Sequence, residues 1–283
     1  MCKKFLLLSV LFCLCSSLAL VAADSKTTKA DLTAAQIVEK HVAARGGLQA
    51  WRAVQAMSWE GKMDAGSGSN DRARRIAESR EAPRTGRIEV ADNKDAKQVQ
   101  LPFVLEMKRP SKSRVEIEFA GKTALQVYDG TNGWKVRPFL NRNDVEPFTA
   151  EEMKAERGRG ELDGPLVDYA AKGTKVELEG VEPVVGHDAY KLKLTTKNGD
   201  VQHLWIDTQS FLDVKVEGAP RRMDGKMRTV WIYQRDFRSV QGVTIPFVLE
   251  TAVDGYRDAH KMVIEKAVVN PRLDEALFAE PKV

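Results

Sequence analysis

Across residues 33–45 the apolar side chains Ala34, Ile37, Val38 and Val42 recur at helical spacing, behind Asp31 or Thr33 as a cap and ahead of Gly46 and Gly47 as a stop. That spacing predicts one amphipathic helix. Leu48, Trp51 and Val54 put a second apolar stripe on a short helical piece over 48–54, which leads into a first strand over 57–63. After residue 100 the period drops to two. Leu101, Phe103, Leu105 and Met107 alternate with Val104, Glu106 and Lys108, and Val115, Ile117 and Phe119 alternate with Arg114, Glu116 and Glu118. This is the pattern of half-buried antiparallel strands. Pro110 and Ser111 mark one turn and Gly121 and Lys122 the next. Asp129-Gly130-Thr131-Asn132-Gly133 makes a tight hairpin between strands at 125–128 and 134–136.

Thr149 as a hydroxyl cap, with Glu151 and Glu152 in the first turn, predicts a helix over 149–156, and a further helical turn is expected over 162–171, ending at Gly173. Strand patterns resume at 175–182, 189–196, 201–207, 212–217, 228–237, 244–253 and 261–269. The total is about ten or eleven strands without long helices between them, which excludes a parallel α/β fold. A sheet of that size twists, so it must close, split into a sandwich, or curl around a filling of its concave side. The helices are candidates for that filling.

The N-terminus changes the picture of where such a sheet works. Lys3 and Lys4 precede an apolar run over 5–22, and Val21-Ala22-Ala23 suits a signal peptidase. Residues 1–23 therefore read as a signal peptide cleaved after Ala23, leaving one domain over 24–283 in an exported, periplasmic protein. Cys13 follows Phe12 and Cys15 follows Leu14, where lipid attachment would need a small residue. All three cysteines, Cys2, Cys13 and Cys15, leave with the signal, so stability rests on an apolar core rather than disulfides. Removing Lys3 and Lys4 takes the 44 basic side chains to 42, against 40 acidic ones. That balance argues against nucleic acid as a partner. Between 65 and 95 a Gly/Ser stretch is followed by Arg72, Arg74, Arg75, Arg80, Arg84 and Arg87 with few apolar residues. It reads as a mobile, solvated insertion, either a polar hairpin extension or an arm for an anionic surface or partner.

Candidate chemistry is sparse. His41, His187, His203 and His260 have no second ligand at metal-site spacing, and His41 is expected to face solvent. The loop at 129–133 has alternating oxygens but lacks the distal glutamate of a calcium loop, so it reads as a turn. The acidic pairs Glu116/Glu118 and Asp207/Asp213 have a spacing that is unspecific, and Glu116 and Glu118 fall on a solvated outer face. No nucleophile elbow, phosphate loop or dinucleotide fingerprint occurs. The reading is a non-enzymatic protein with no cofactor and no metal. What stands out is an apolar surplus on one face of many strands: Phe103, Leu105, Met107, Val115, Ile117, Phe119, Val230, Ile232, Phe247 and Leu249. These ten are either ordinary core or, because two or three small helices cannot cover them all, the lining of a ligand cavity. Met63, Met107 and Met262 would suit variable acyl chains.

One order of short elements narrows this. Leu105-Glu106-Met107-Lys108-Arg109-Pro110 is followed by Arg114-Val115-Glu116, then Val127-Tyr128-Asp129-Gly130 and Trp134. Further on come Trp205-Ile206-Asp207, Lys215-Val216-Glu217, Tyr233 to Phe237, Gly242 to Pro246, and Leu273 to Phe278. In this order the chain resembles the LolA/LolB-like lipoprotein-carrier superfamily over most of its mature length. The resemblance implies a mainly β, α+β fold: a single strongly curved antiparallel sheet, an incomplete barrel of eleven strands, with helices covering the open, concave side. It implies a monomeric carrier whose cavity receives lipoprotein acyl chains or a related lipid, with an inner-membrane export complex and an outer-membrane acceptor as partners. The alternative is a periplasmic sensor that uses the same sheet to bind a peptide or regulatory protein. The insertion at 65–95 and the greater length depart from the best-known carriers.

Overall fold

The computed structural model describes residues 32–64, 99–138, 142–159, 162–256 and 259–282. The expected signal peptide and the insertion at 65–95 lie outside these residues.

Helix α1, Ala34–Ala44, opens on a capping box: the Gln36 amide donates to Thr33 Oγ1 at 3.3 Å, and the Thr33 amide donates to Gln36 Oε1 at 2.9 Å. It stops at Gly46, whose φ of +107° only glycine tolerates easily, and a Cβ there would run into the Gly242 carbonyl. The Thr244 amide donates to the Arg45 carbonyl at 2.9 Å, which fixes the helix end to the sheet. Helix α2, Leu48–Ala53, follows at once.

Thirteen strands form one antiparallel sheet: β1 Ala56–Asp64, β2 Gln100–Lys108, β3 Lys112–Phe119, β4 Lys122–Tyr128, β5 Gly133–Arg137, β6 Arg142–Pro147, β7 Lys175–Val184, β8 His187–Thr195, β9 Val201–Asp207, β10 Asp213–Met223, β11 Lys226–Val240, β12 Val243–Val253 and β13 His260–Val269. Their order is β6-β5-β4-β3-β2-β1-β13-β12-β11-β10-β9-β8-β7, so among the described residues β6 and β7 are the edges and the barrel is not closed. Each wing is a meander of sequence neighbours. The wings join where β1 pairs with β13, Met57 opposite Val269 and Met63 opposite Met262.

The curl of the sheet follows from one short helix, α3, Ala150–Arg159. Glu152 bonds Lys135 of β5, and the neighbouring Glu151 bonds Arg222 of β10. Eight strand spacings separate β5 from β10, about 38 Å in a flat sheet. Two adjacent glutamates can reach both strands only if the sheet wraps round beneath them. Register shifts at Glu60/Gly61, Lys135/Arg137, Leu178/Gly180 and Gly218/Arg221 supply local bends.

The expected curved sheet with helices on its concave side is present, with three corrections to its parts. Strand β6 was not anticipated, because Arg142-Asn143-Asp144-Val145-Glu146-Pro147 lacks apolar alternation; its ladder to β5 and the Arg137–Glu146 pair hold it. The β10–β11 hairpin extends beyond 217 and starts before 228, since a polar tip carries no period. The segment expected to be helical over 162–171 is a series of turns. Gly164 and Asp168 have positive φ there and Pro165 lies between them, so the apolar spacing is read out by a non-helical backbone.

The core lies between α2 and the sheet centre. Trp51 and Val54 pack with Met57, Phe103, Val243, Ile245, Phe247, Ile264 and Val269, and Val167 of the turn segment joins them.

Candidate functional site

Strand alternation and register place all ten apolar candidates on the concave face. Phe103 faces Ile117 and Leu105 faces Val115 across β2–β3. Leu105 and Met107 lie opposite Trp59 and Met57 of β1, and Leu249 lies opposite Met262 of β13. Val230 faces Val253 across β11–β12 and Ile232 sits two residues on from Val230. The face is not uniformly packed. Phe103, Val230 and Phe247 are buried core. Leu105, Met107, Ile117 and Leu249 are only half-buried, as are Trp59, Met63 and Met262 around them, and all seven flank the buried cluster. Val115 and Ile232 are also half-buried. Phe119, at the last position of β3, is 43% exposed.

Polar groups bound this apolar surface on two sides. Toward β5 it is covered by α3, a helix with little apolar character. Lys135, buried, donates to Glu152 at 2.6 Å, and Ser113 donates to Glu156 at 3.2 Å. Glu152 also accepts from the Thr149 amide at 2.7 Å, closing the cap expected there. Burial pushes the Glu152 carboxyl up, but its bonds to Lys135 and Thr149 outweigh that and hold it below the usual carboxylate range. Three glutamates of α3 thus bond the sheet: Glu151 to β10, Glu152 to β5 and Glu156 to β3.

At the α1–α2 end, the turn segment is clasped by Asp163. Its carboxylate accepts from Arg109 Nη2 at 2.8 Å and Lys172 Nζ at 3.0 Å, and its carbonyl accepts from Arg45 Nη1 at 2.9 Å. Arg109 also donates to the Val54 carbonyl at 2.8 Å. The Arg45 guanidinium stacks 4.2 Å over the Trp51 ring. Between α1, the start of α2 and residues 166–171 lies an open groove of about 560 Å³, walled by Ala35, Val38, Val42, Leu48, Leu166 and Ala170.

His41 does not face solvent, as the sequence suggested, but is 1% exposed. It lies one turn beyond Ile37 and so shares the face that α1 presents to the sheet. Its Nδ1 lies 2.9 Å from the Phe211 carbonyl, which fixes the proton on that nitrogen, and Nε2 stands 3.7 Å from Asp213. Burial lowers the His41 pKa, and Asp213 only partly offsets this. The signal for this burial was the i, i+4 relation to Ile37. Lys135, Glu152 and Asp163 had no such signal, because their partners come from distant elements.

The acidic pairs have structural partners. Glu116 bonds Arg114 on the outer face. Asp207 accepts from the Gln209 and Ser210 amides at 3.0 and 2.7 Å, and Asp213 stands beside His41. Asp129 accepts from the Thr131 and Asn132 amides at 2.7 and 2.6 Å, a turn closed by its own side chain. Among the described residues no group of three or more His, Cys, Asp or Glu side chains is arranged to hold a metal ion.

An open antiparallel barrel with helices laid on an apolar concave face defines a LolA/LolB-like fold. Solved structures match it over almost their whole length. A DUF1329 family protein from Desulfovibrio piger aligns with a TM-score of 0.53 and 14% identity, covering 87% of this chain and 97% of that one. A LolA superfamily protein from Nitrosomonas europaea aligns with a TM-score of 0.50 and 14% identity, covering 88% and 98%. The sequence matches no protein-family profile, and no curated protein matches it significantly.

Proposed function

We propose that the protein is a periplasmic, non-enzymatic carrier that holds the acyl chains of a lipoprotein or a related lipid on its concave face and passes them toward the outer membrane. One observation carries this reading. Trp59, Met63, Leu105, Ile117, Leu249 and Met262 form a continuous apolar surface on the inner face, yet the helices leave them half-buried. An apolar guest completes that interior. Each methylene it moves out of water contributes about 0.8 kcal/mol, so a few acyl chains give firm but reversible holding. The LolA-like fold supports the reading, and so do the glutamate bonds that tie α3 to the sheet, which can break and re-form in water. Handing on the cargo requires no bond to be made or broken.

Purification of the native protein from the periplasm followed by lipid mass spectrometry tests the proposal. A carrier comes out with stoichiometric lipid. Protein that is lipid-free on isolation, and that takes up none from vesicles, overturns it.

A further inference from the structure

An indole nitrogen donates and never accepts, so a tryptophan N–H taken out of water needs an acceptor from within the fold. Trp51 has one, since its Nε1 donates to the Arg45 carbonyl at 2.9 Å, and Trp205 has another in the Glu182 carboxylate. Trp59 differs. Its Nε1 is buried with no hydrogen-bond partner among the described residues, although the residue as a whole is only half-buried. A donor in that state loses its hydration without compensation. Register explains why the sheet offers no acceptor beside it. Trp59 lies opposite Leu105 of β2 and Ala267 of β13, so its neighbours across both ladders are apolar. Along β1 the residues that share its face are Met57 and Gly61, one apolar and one without a side chain. The same position puts the donor where cargo would lie. Trp59 belongs to the half-buried apolar surface that continues through Met63, Leu105, Ile117, Leu249 and Met262. Met107, diagonal to it across β1–β2, is half-buried and flexible, so the packing around the ring can rearrange about a guest.

We propose that Trp59 is a specificity-determining residue of the concave face: its Nε1–H donates to an acyl ester carbonyl of the bound lipid, whose chains lie over the half-buried residues around it. An ester carbonyl is a neutral acceptor joined directly to an acyl chain, so it can enter apolar surroundings and gain the bond that the fold leaves unmade. A carboxylate would fit worse, because one neutral donor does not offset the loss of its hydration. The inference rests on the carrier reading and narrows it: the cargo is an ester-linked lipid, recognised at its linkage as well as by its chains.

The test compares retention of dioleoylglycerol with that of its diether analogue, in which each ester carbonyl is a methylene, by the delipidated protein and by a Trp59→Phe variant whose circular dichroism matches the parent. Phenylalanine keeps an apolar ring and removes the donor. The parent should hold the diester about three- to tenfold more tightly, the effect of one buried hydrogen bond, and Trp59→Phe should lose most of that preference. A second readout uses the parent alone: the indole proton resonance of Trp59 should move downfield with the diester and not with the diether, which a purely structural role would not produce. Equal retention of both lipids by the parent, an unchanged preference in Trp59→Phe, or an indole resonance that responds alike to both lipids overturns the carbonyl contact and leaves the carrier reading standing. An indole shift as large with oleate as with the diester makes the acceptor a carboxylate and overturns the ester. Retention of none of these lipids overturns the carrier reading and the contact with it.

Discussion

The Asp163 carboxylate accepts from the Arg109 guanidinium at 2.8 Å, and this bond joins the turn segment over the concave face to the end of β2. The side chain of Asp163 is 5% exposed, whereas Arg109 and Lys172 are 29% and 22% exposed. Replacing Asp163 with Ala removes the carboxylate that Arg109 and Lys172 both bond, and leaves the more distant Asp168 as the remaining negative charge near them. The expected cost is about 2–3 kcal/mol, the lower part of the range for breaking a buried pair because both cations keep some water. Urea unfolding of Asp163→Ala beside the parent measures it, and an unchanged midpoint would show that the clasp is not coupled to the fold.

His41 gives the protein a pH dependence of predictable sign. The unfolded chain takes up a proton near pH 6.5, while burial lowers the pKa in the folded state. Stability is therefore complete above pH 6.5 and declines as the pH falls from there toward the folded pKa. Asp213 at 3.7 Å moderates the fall, and Arg45 adds to it. We expect Tm to drop between pH 7.5 and 5.5, and His41→Gln to have a lower Tm at neutral pH but a flatter profile across that window. Scanning calorimetry at several pH values distinguishes the two.

Apolar residues on the concave face should divide into two groups on substitution. Phe103 is 2% exposed within the core, and Phe103→Ala is expected to destabilise by about 3–5 kcal/mol. The half-buried pair Leu105 and Leu249 should behave otherwise. Leu105→Ser with Leu249→Ser is expected to keep the fold at a cost of about 1–2 kcal/mol per site while lowering co-purifying lipid several-fold. Lipid per mole of protein, read beside thermal stability, decides this. If the two losses scale together, the half-buried face is only core.

Gly46 and Gly47 share a positive φ but differ in surroundings. A Cβ on Gly46 meets the Gly242 carbonyl, whereas one on Gly47 meets nothing within 4 Å. Gly47→Ala is expected to cost about 1 kcal/mol from backbone strain alone, and Gly46→Ala about 2–3 kcal/mol because the end of α1 must also withdraw from the β11–β12 turn. Chemical denaturation of the two variants provides the comparison, and equal effects would refute the close approach.

The removal of α3's anchor is the remaining expectation. Glu152→Ala deletes both the bond to Lys135 and the cap on the Thr149 amide. Amides of 150–159 should exchange at least tenfold faster by hydrogen exchange, a loss of about 1–2 kcal/mol confined to that helix. Exchange in β11 and β12 should not change.

Period-two alternation determined most of the sheet from sequence alone: Leu101 to Met107 and Val115 to Phe119 each show which residues share a face, and short turns make sequence neighbours pair. The capped pattern at 33–45 likewise fixed α1. These features are local, set by backbone geometry and by side chains a few positions apart. Tertiary structure alone decided the rest. It added β6, which has no apolar signal, and made the apolar spacing at 162–171 a run of turns, because Gly164, Pro165 and Asp163's partners outweigh helical propensity. It turned His41 inward and brought Lys135 to Glu152. Above all it decided which of ten equivalent apolar residues are sealed, as Phe103 is, and which stay half-open, as Leu249 does. Alternation reports the side of a sheet a residue occupies, but coverage depends on where helices from distant parts of the chain come to rest, and no short-range pattern encodes that.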